Sequence, residues 1–283
     1  MRKRLIAGTS VAVVAAIAVA FLALRGHRGE ASRGSLRGLA ASAEAGEAAP
    51  RGETRAAGTG MAAIEHASKA GKYLFIFLYR DATGETGAMR KVFRAAMAKA
   101  SDKAEWVEAN VADPSEQPLV RKFNVSRAPM PLVLALAPNG AITGGFPAEF
   151  DEEKLLGAFV SPCMAQCLKS LQDRKLVFLC VQNQATKSNA AATAGVRDFK
   201  ADSRFSQATE IVTLDPTDKA ETKFLGQLQI DPKTGEAITV FLAPPGAVIA
   251  KFEGATDKNM LVATLQKAMA ACGSGGCGPS GCQ

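Results

Sequence analysis

The chain has 283 residues, 47% hydrophobic and 22% charged, with a formal charge of +7 and six cysteines. That length accommodates two domains of about a hundred residues each, and six cysteines are too few for a disulfide-built scaffold, so each domain relies on an apolar core. The charge argues against a nucleic-acid binder: residues 1–57 hold nine Lys/Arg against four Glu, and the other 25 basic and 23 acidic residues nearly cancel.

Residues 5–24, LIAGTSVAVVAAIAVAFLAL, carry no charge and follow Arg2-Lys3-Arg4. As a helix they would extend about 30 Å, the thickness of a bilayer's hydrocarbon core. The leading cations should stay in the cytoplasm, which places the rest of the chain outside, although Arg25, Arg28, Arg33 and Arg37 weaken that bias. The expectation is a single-pass anchor. The alternative is a signal peptide cleaved after Ala18-Val19-Ala20, leaving a secreted or periplasmic protein. Residues 25–58, rich in Ala, Gly, Arg, Glu and Ser, cannot bury enough surface to offset ordering and read as a disordered tether.

The next elements follow from periodicity and punctuation. A helix is expected over Met61–Ala70, stopped by Gly71, then a strand buried on both faces over Tyr73–Leu78. After a polar turn come a helix over Ala88–Ser101, a strand over Trp106–Val111, and a helix beginning at Asp113-Pro114-Ser115 and continuing through Leu119–Phe123. Strands Leu132–Leu136 and Ala141–Phe146 flank the Pro138-Asn139-Gly140 turn, and a helix over Glu152–Phe159 closes the unit. A second unit repeats this order: helix Pro162–Gln172, strand Leu176–Val181, helix Ala192–Lys200, strand Glu210–Leu214 and helix Ala220–Leu228. Strands Ile238–Leu242 and Val248–Phe252 and the helix Lys258–Ala271 complete it.

The repetition is also written in the residues. Met61–Leu78 (MAAIEHASKAGKYLFIFL) aligns without a gap with Met164–Val181 (MAQCLKSLQDRKLVFLCV), and ALAPNGAI from Ala135 matches FLAPPGAVI from Phe241. Ala112-Asp113-Pro114 matches Leu214-Asp215-Pro216 one residue out of step. Two long copies mean two domains, residues 59–160 and 161–271, not a solenoid.

FIFLYRDATGET (Phe75–Thr86), and Ala128-Pro129-Met130-Pro131-Leu132 ahead of VLALAPNG, resemble the thioredoxin-like superfamily. The resemblance covers nearly all of both units. It implies an α/β fold of tandem thioredoxin-like domains, each a mixed central sheet flanked by helices, preceded here by the N-terminal hydrophobic helix. It further implies a Cys-x-x-Cys at a helix N-terminus facing a cis-proline. Pro131 stands where that proline would be; a trans proline opening a strand is the alternative. The cysteine positions are held by Thr83-Gly84-Glu85-Thr86 in the first copy and Thr186-Lys187-Ser188-Asn189 in the second, where Ala237 replaces the proline. A threonine hydroxyl cannot replace a thiolate in disulfide exchange, so Thr83, Thr86 and Pro131 mark a degenerate active-site turn.

Cys167 and Cys180 align with Ile64 and Phe77 and are expected to be small core residues. Cys163 falls at an expected helix start, where unpaired N–H groups could stabilise its thiolate; with Cys167 it could also present two ligands on one helical face. Cys272, Cys277 and Cys282 lie in a Gly/Ser-rich tail, residues 272–283, with no apolar partners. That tail could exchange disulfides, wrap copper or zinc, or simply crosslink. His27, His66 and the Asp81/Glu85 pair carry no partner pattern for catalysis. The expectation is an exported binding or scaffold module for protein partners, with membrane contact through residues 5–24; no nucleophile–base pair supports a further reading, an enzyme using the emptied groove for other chemistry. The alternative is thiol exchange or soft-metal handling through the tail.

Overall fold

The computed structural model describes residues 58–274, with side chains through Ala270. The expected membrane helix, most of the tether, and Cys277 and Cys282 lie outside the described residues. Among those described, no helix is long and apolar enough to cross a membrane.

The first unit runs α1 (Thr59–Lys69), β1 (Tyr73–Tyr79), α2 (Gly84–Lys99), β2 (Ala104–Asn110), a 3₁₀ turn (Pro114–Glu116), α3 (Gln117–Phe123), β3 (Leu132–Leu136), β4 (Ile142–Pro147) and α4 (Glu152–Leu156). The second runs α5 (Pro162–Gln172), β5 (Leu176–Val181), α6 (Asn189–Ala201), β6 (Thr209–Leu214), a 3₁₀ turn (Lys219–Glu221), α7 (Thr222–Gln227), β7 (Ile238–Ala243), β8 (Ala247–Glu253) and α8 (Lys258–Ser274). Each unit has its own four-stranded sheet, ordered β2-β1-β3-β4 and β6-β5-β7-β8. In each, the first pair is parallel and the rest antiparallel.

The contiguous apolar run of β1 is buried along its middle because both sheet faces are covered. Leu74, Ile76 and Leu78 share a cluster with Leu119 and Phe123 of α3, and Phe75 and Phe77 meet Phe93 and Met97 of α2 from the other side. Val177, Leu179 and Val181 of β5 alternate in the same way with Phe178 and Cys180. The 2.0-residue period of a strand divides one hydrophobic run between two half-cores.

Register corrects one part of the sequence alignment. Tyr73 lies opposite Ala104 and Leu176 opposite Thr209, so Asn110 corresponds to Asp215 and Asp113 to Asp218. Asp113 and Asp218 each cap a 3₁₀ turn, accepting from Ser115 N–H at 2.8 Å and Ala220 N–H at 2.9 Å. The Asp-Pro match at Asp215-Pro216 is fortuitous. The start of α2 is also earlier than the expected Ala88, because Thr83 caps the helix and draws Gly84–Gly87 into its first turn.

The units are joined through domain 1's β3–β4 hairpin and α5. Asn139 Nδ2 donates to the Ala165 carbonyl at 2.9 Å, and the Gln172 carboxamide exchanges two hydrogen bonds with Ile142, at 2.9 and 2.7 Å. The Tyr73 hydroxyl donates to the Val160 carbonyl at 2.7 Å and accepts from its N–H at 3.1 Å. Burial pushes the Tyr73 phenol above its ordinary pKa, against the opposing effect of that carbonyl bond.

Candidate functional site

The turn after β1 and the residue before β3 meet at one end of the first sheet, because Leu78 pairs with Leu132. Arg80 ties the two loops together by donating to the Ser126 carbonyl at 3.2 Å. Pro131 is buried, the Met130–Pro131 bond is cis, and the Pro131 carbonyl accepts from Ala148 N–H at 2.7 Å. At the same end of the sheet, after β1, α2 begins. Thr83 accepts the Thr86 N–H at 3.3 Å, while its hydroxyl donates to Thr86 Oγ1 at 3.1 Å. Thr83 is exposed and Thr86 is buried. The two hydroxyls therefore touch, at the first turn of a 16-residue helix.

The second unit builds the same pair differently. Thr186 Oγ1 lies 2.7 Å from Asn189 Oδ1, and Thr186 also accepts the Asn183 N–H at 2.9 Å. Here α6 does not start until Asn189, and Ser188 is left-handed at φ 64°. Lys187 is drawn instead into a parallel bridge with Glu236. Its N–H donates to the Gly235 carbonyl and its own carbonyl accepts from Ala237 N–H, both at 2.9 Å. Ala237 is the counterpart of Pro131: its carbonyl accepts from Gly254 N–H at 2.8 Å as that of Pro131 does from Ala148. A proline at this position could not donate that bond. The second corner is thus closed by backbone hydrogen bonds, whereas among the described residues no backbone bond joins the two loops of the first.

Sheet order, strand directions and the placement of this corner decide the architecture. Both units carry the thioredoxin-like fold. No family model matches the chain, and no curated protein does. Among solved structures it is similar to thioredoxin O2 from Arabidopsis thaliana, at 14% identity over 40% of this chain and 90% of that one, with a TM-score of 0.31. The germline-specific thioredoxin Deadhead from Drosophila melanogaster gives 20% identity, 38% and 94% coverage, and a TM-score of 0.29. The first two thioredoxin domains of Saccharomyces cerevisiae Eps1p span 77% of this chain and 99% of their own, at 10% identity and a TM-score of 0.28.

Cys163 behaves opposite to expectation. It does lie in the first turn of α5, but its N–H is taken by Glu221 Oε1 at 2.9 Å. Burial, and then the Glu221 carboxylate, push the thiol up to about 12, and the thiol itself lies 3.5 Å from the Thr213 carbonyl. The helix terminus that would have favoured a thiolate is already neutralised by a buried carboxylate. Burial likewise raises Cys167, and raises Cys180 to about 11. Both side chains are buried in the cores, as their alignment with apolar residues implies.

Glu221 and its counterpart Glu116 are the residues that sequence reasoning missed. They are 1% and 4% exposed, and each sits under the first helix of its unit. Glu116 accepts the Thr59 hydroxyl at 2.7 Å and the Gly60 N–H at 3.2 Å, an approach open only because Gly58 and Gly60 lack a Cβ. The available signal was Asp113-x-x-Glu116 and Asp218-x-x-Glu221, which has the spacing of a capping box, with Asp in place of Ser/Thr, at both 3₁₀ turns.

The other candidates separate. Cys272 lies in the last turn of α8, two residues before its end at Ser274 and just past the expected stop at Ala271. His66 Nδ1 lies 2.7 Å from Glu105 Oε2 on the surface, and Asp81 and Glu85 are exposed. Among the described residues no group of three or more His, Cys, Asp or Glu side chains is placed to hold a metal ion.

Proposed function

We propose that this chain is an exported, membrane-tethered scaffold whose thioredoxin-like units hold protein partners without exchanging disulfides. The contact between the Thr83 and Thr86 hydroxyls carries this reading, since it fills the positions of a reactive sulfur pair with groups that cannot attack sulfur. The corner marked by exposed Thr83, with Thr86 and Pro131 buried beneath its surface, is the docking surface for an extended partner segment; the Lys187 bridge favours the first unit over the second. The test pairs two measurements on the full chain. In the first, insulin reduction by dithiothreitol should not accelerate. In the second, fluorescent reduced and carboxymethylated α-lactalbumin should bind, and Thr83→Arg should weaken it about tenfold. Catalysed insulin reduction, or client binding indifferent to Thr83→Arg, overturns the proposal.

A second reading gives thiol exchange, or capture of copper or zinc, to Cys272, Cys277 and Cys282. It is favoured by the burial of Cys167 and Cys180 in the cores and by the half-buried place of Cys163 beside the Glu221 carboxylate, which withdraw those three thiols from exchange. Truncation after Ala271 would then abolish reductase activity or stoichiometric metal uptake seen in the full chain.

A further inference from the structure

The junction between the units has a vacant counterpart. In the first unit the β3–β4 turn is seated on α5 by Asn139 and Gln172, and the Gln172 carboxamide pairs with the outward N–H and C=O of Ile142 as one residue of a strand would. Ala137 and Ala141, which flank the turn, join one apolar cluster with Met164, Ala165 and Leu168, and Ala141 is 0% exposed.

The second unit builds a hairpin of the same register through a different turn, in which the Pro244–Pro245 bond is cis and Gly246 lies at φ 149° where Gly140 lies at 78°. Gly246 N–H donates to the Ala243 carbonyl at 2.8 Å, as Gly140 does to Ala137 at 2.8 Å. Leu242 lies opposite Val248 as Leu136 lies opposite Ile142, with the ladder shifting at the same step. Ala247 stands where Ala141 is buried, and it is exposed; Pro245, in place of Asn139, is exposed too. Strand β8 is a sheet edge, and among the described residues no side chain hydrogen-bonds to Val248, whose register turns its N–H and C=O outward. An edge so presented is a template for pairing.

We propose that the β7–β8 hairpin docks an amphipathic helix of a partner protein in the way that the β3–β4 hairpin docks α5. The chemistry of the occupant is read from α5. It places a small residue against the turn (Ala165), an aliphatic one nearly a turn later (Leu168), and a carboxamide that reads the strand edge (Gln172). A second copy of this chain fits poorly. Its α5 is already engaged, and α1 presents Ala62, Glu65 and Lys69 at the corresponding positions. Glu65 would be a carboxylate buried without a counter-ion, and Lys69 has no acceptor for the Val248 N–H. This surface is separate from the Thr83–Pro131 corner, so either proposal can fail alone.

The probe is a fluorescein-labelled peptide of residues 161–174 with Cys163→Ser and Cys167→Ala, titrated with the full chain and followed by anisotropy. Saturable binding is expected below about 1 mM. Ala247→Asp and Ala247→Lys in the chain should each weaken it at least tenfold while leaving the thermal melt unchanged, and Gln172→Leu in the peptide should weaken it severalfold. Absence of saturation overturns the proposal, as does binding indifferent to both Ala247 variants. Self-association of the wild-type chain in sedimentation, abolished by Ala247→Asp, would assign the hairpin to a second copy and overturn it equally.

Discussion

Glu221 Oε1 accepts the Cys163 N–H at 2.9 Å, and Glu116 holds the Gly60 N–H in the same way in the first unit. One buried carboxylate thus closes the first helix of each unit, and in the second it also stands beside a thiol. A helix N-terminus favours an anion, but here the carboxylate is that anion, and it leaves the thiol protonated. Alkylation of Cys163 by iodoacetamide, followed by peptide mass mapping, should be slow at pH 8 and should accelerate as pH rises toward about 12. Glu221→Gln keeps an acceptor for the Cys163 N–H and removes the charge. Burial is the larger cause and persists, so labelling at pH 8 should rise severalfold, not completely. An unchanged rate would remove the carboxylate from the account.

The two carboxylates are not equally satisfied. Thr59 donates its hydroxyl to Glu116, but the corresponding residue in α5 is Pro162, and Glu221 Oε2 and Ser161 Oγ are buried without partners. Pro162→Thr supplies the missing donor. Stability in urea should rise by about 1 kcal/mol, the usual net value of such a bond, while Thr59→Ala lowers it by a similar amount.

Much of this architecture was legible, and the illegible parts have physical reasons. β1 and β5 announce themselves because a run such as Phe75-Ile76-Phe77-Leu78 can be buried only where both sheet faces are covered. The start of α2 was hidden because Gly84 and Gly87 look like turn residues; the deciding event is the Thr83 cap, a single hydrogen bond. Asp113 was matched to the wrong aspartate because identity was weighed where register decides. The closure of the second corner depends on Lys187 meeting Gly235 and Ala237, about fifty residues away, and no local pattern encodes that meeting.

Close approach in the second unit makes one glycine indispensable. A Cβ on Gly195 of α6 would fall 2.4 Å from the Thr256 carbonyl oxygen and 2.5 Å from its carbon, both backbone atoms. Gly195→Ala must therefore push the loop before α8 away, and should cost roughly 1–3 kcal/mol. Gly226→Ala on α7, where a Cβ meets nothing within 4 Å, should instead add up to about 1 kcal/mol from helix propensity. Thermal melts of the two variants should move in opposite directions.

Acid should loosen the packing of α6 against α8. Asp202 accepts from Arg204 and is ion-paired with Lys258 at 2.7 Å, and these hydrogen bonds, that of Arg204 foremost, hold its carboxyl well below the usual carboxylate range. A depressed pKa stabilises the fold while the group is ionised. The contribution is complete above the unfolded value near about 4 and is lost as pH falls below it toward the folded one. Asp202→Asn should melt earlier than wild type at pH 7, and the gap should narrow below about pH 4. A gap that stays constant down to pH 2 would mean that the carboxylate's charge is not what matters.

The decisive variant restores what the corner lacks. Thr83 and Thr86 are three residues apart at the start of a helix, with hydroxyls 3.1 Å apart, so cysteines at both positions would sit within reach of a disulfide. The helix terminus should lower the pKa of the exposed thiol at position 83. Thr83→Cys/Thr86→Cys is therefore expected to oxidise reversibly and to reduce insulin, while each single variant does neither. Thr186→Cys/Asn189→Cys should remain nearly inert, because the Lys187 bridge occupies the adjacent backbone that a substrate segment would need. Should the first pair oxidise but fail to turn over, the corner has lost more than its sulfurs, and the open surface beside Pro131 would no longer support a docking role inherited from disulfide exchange.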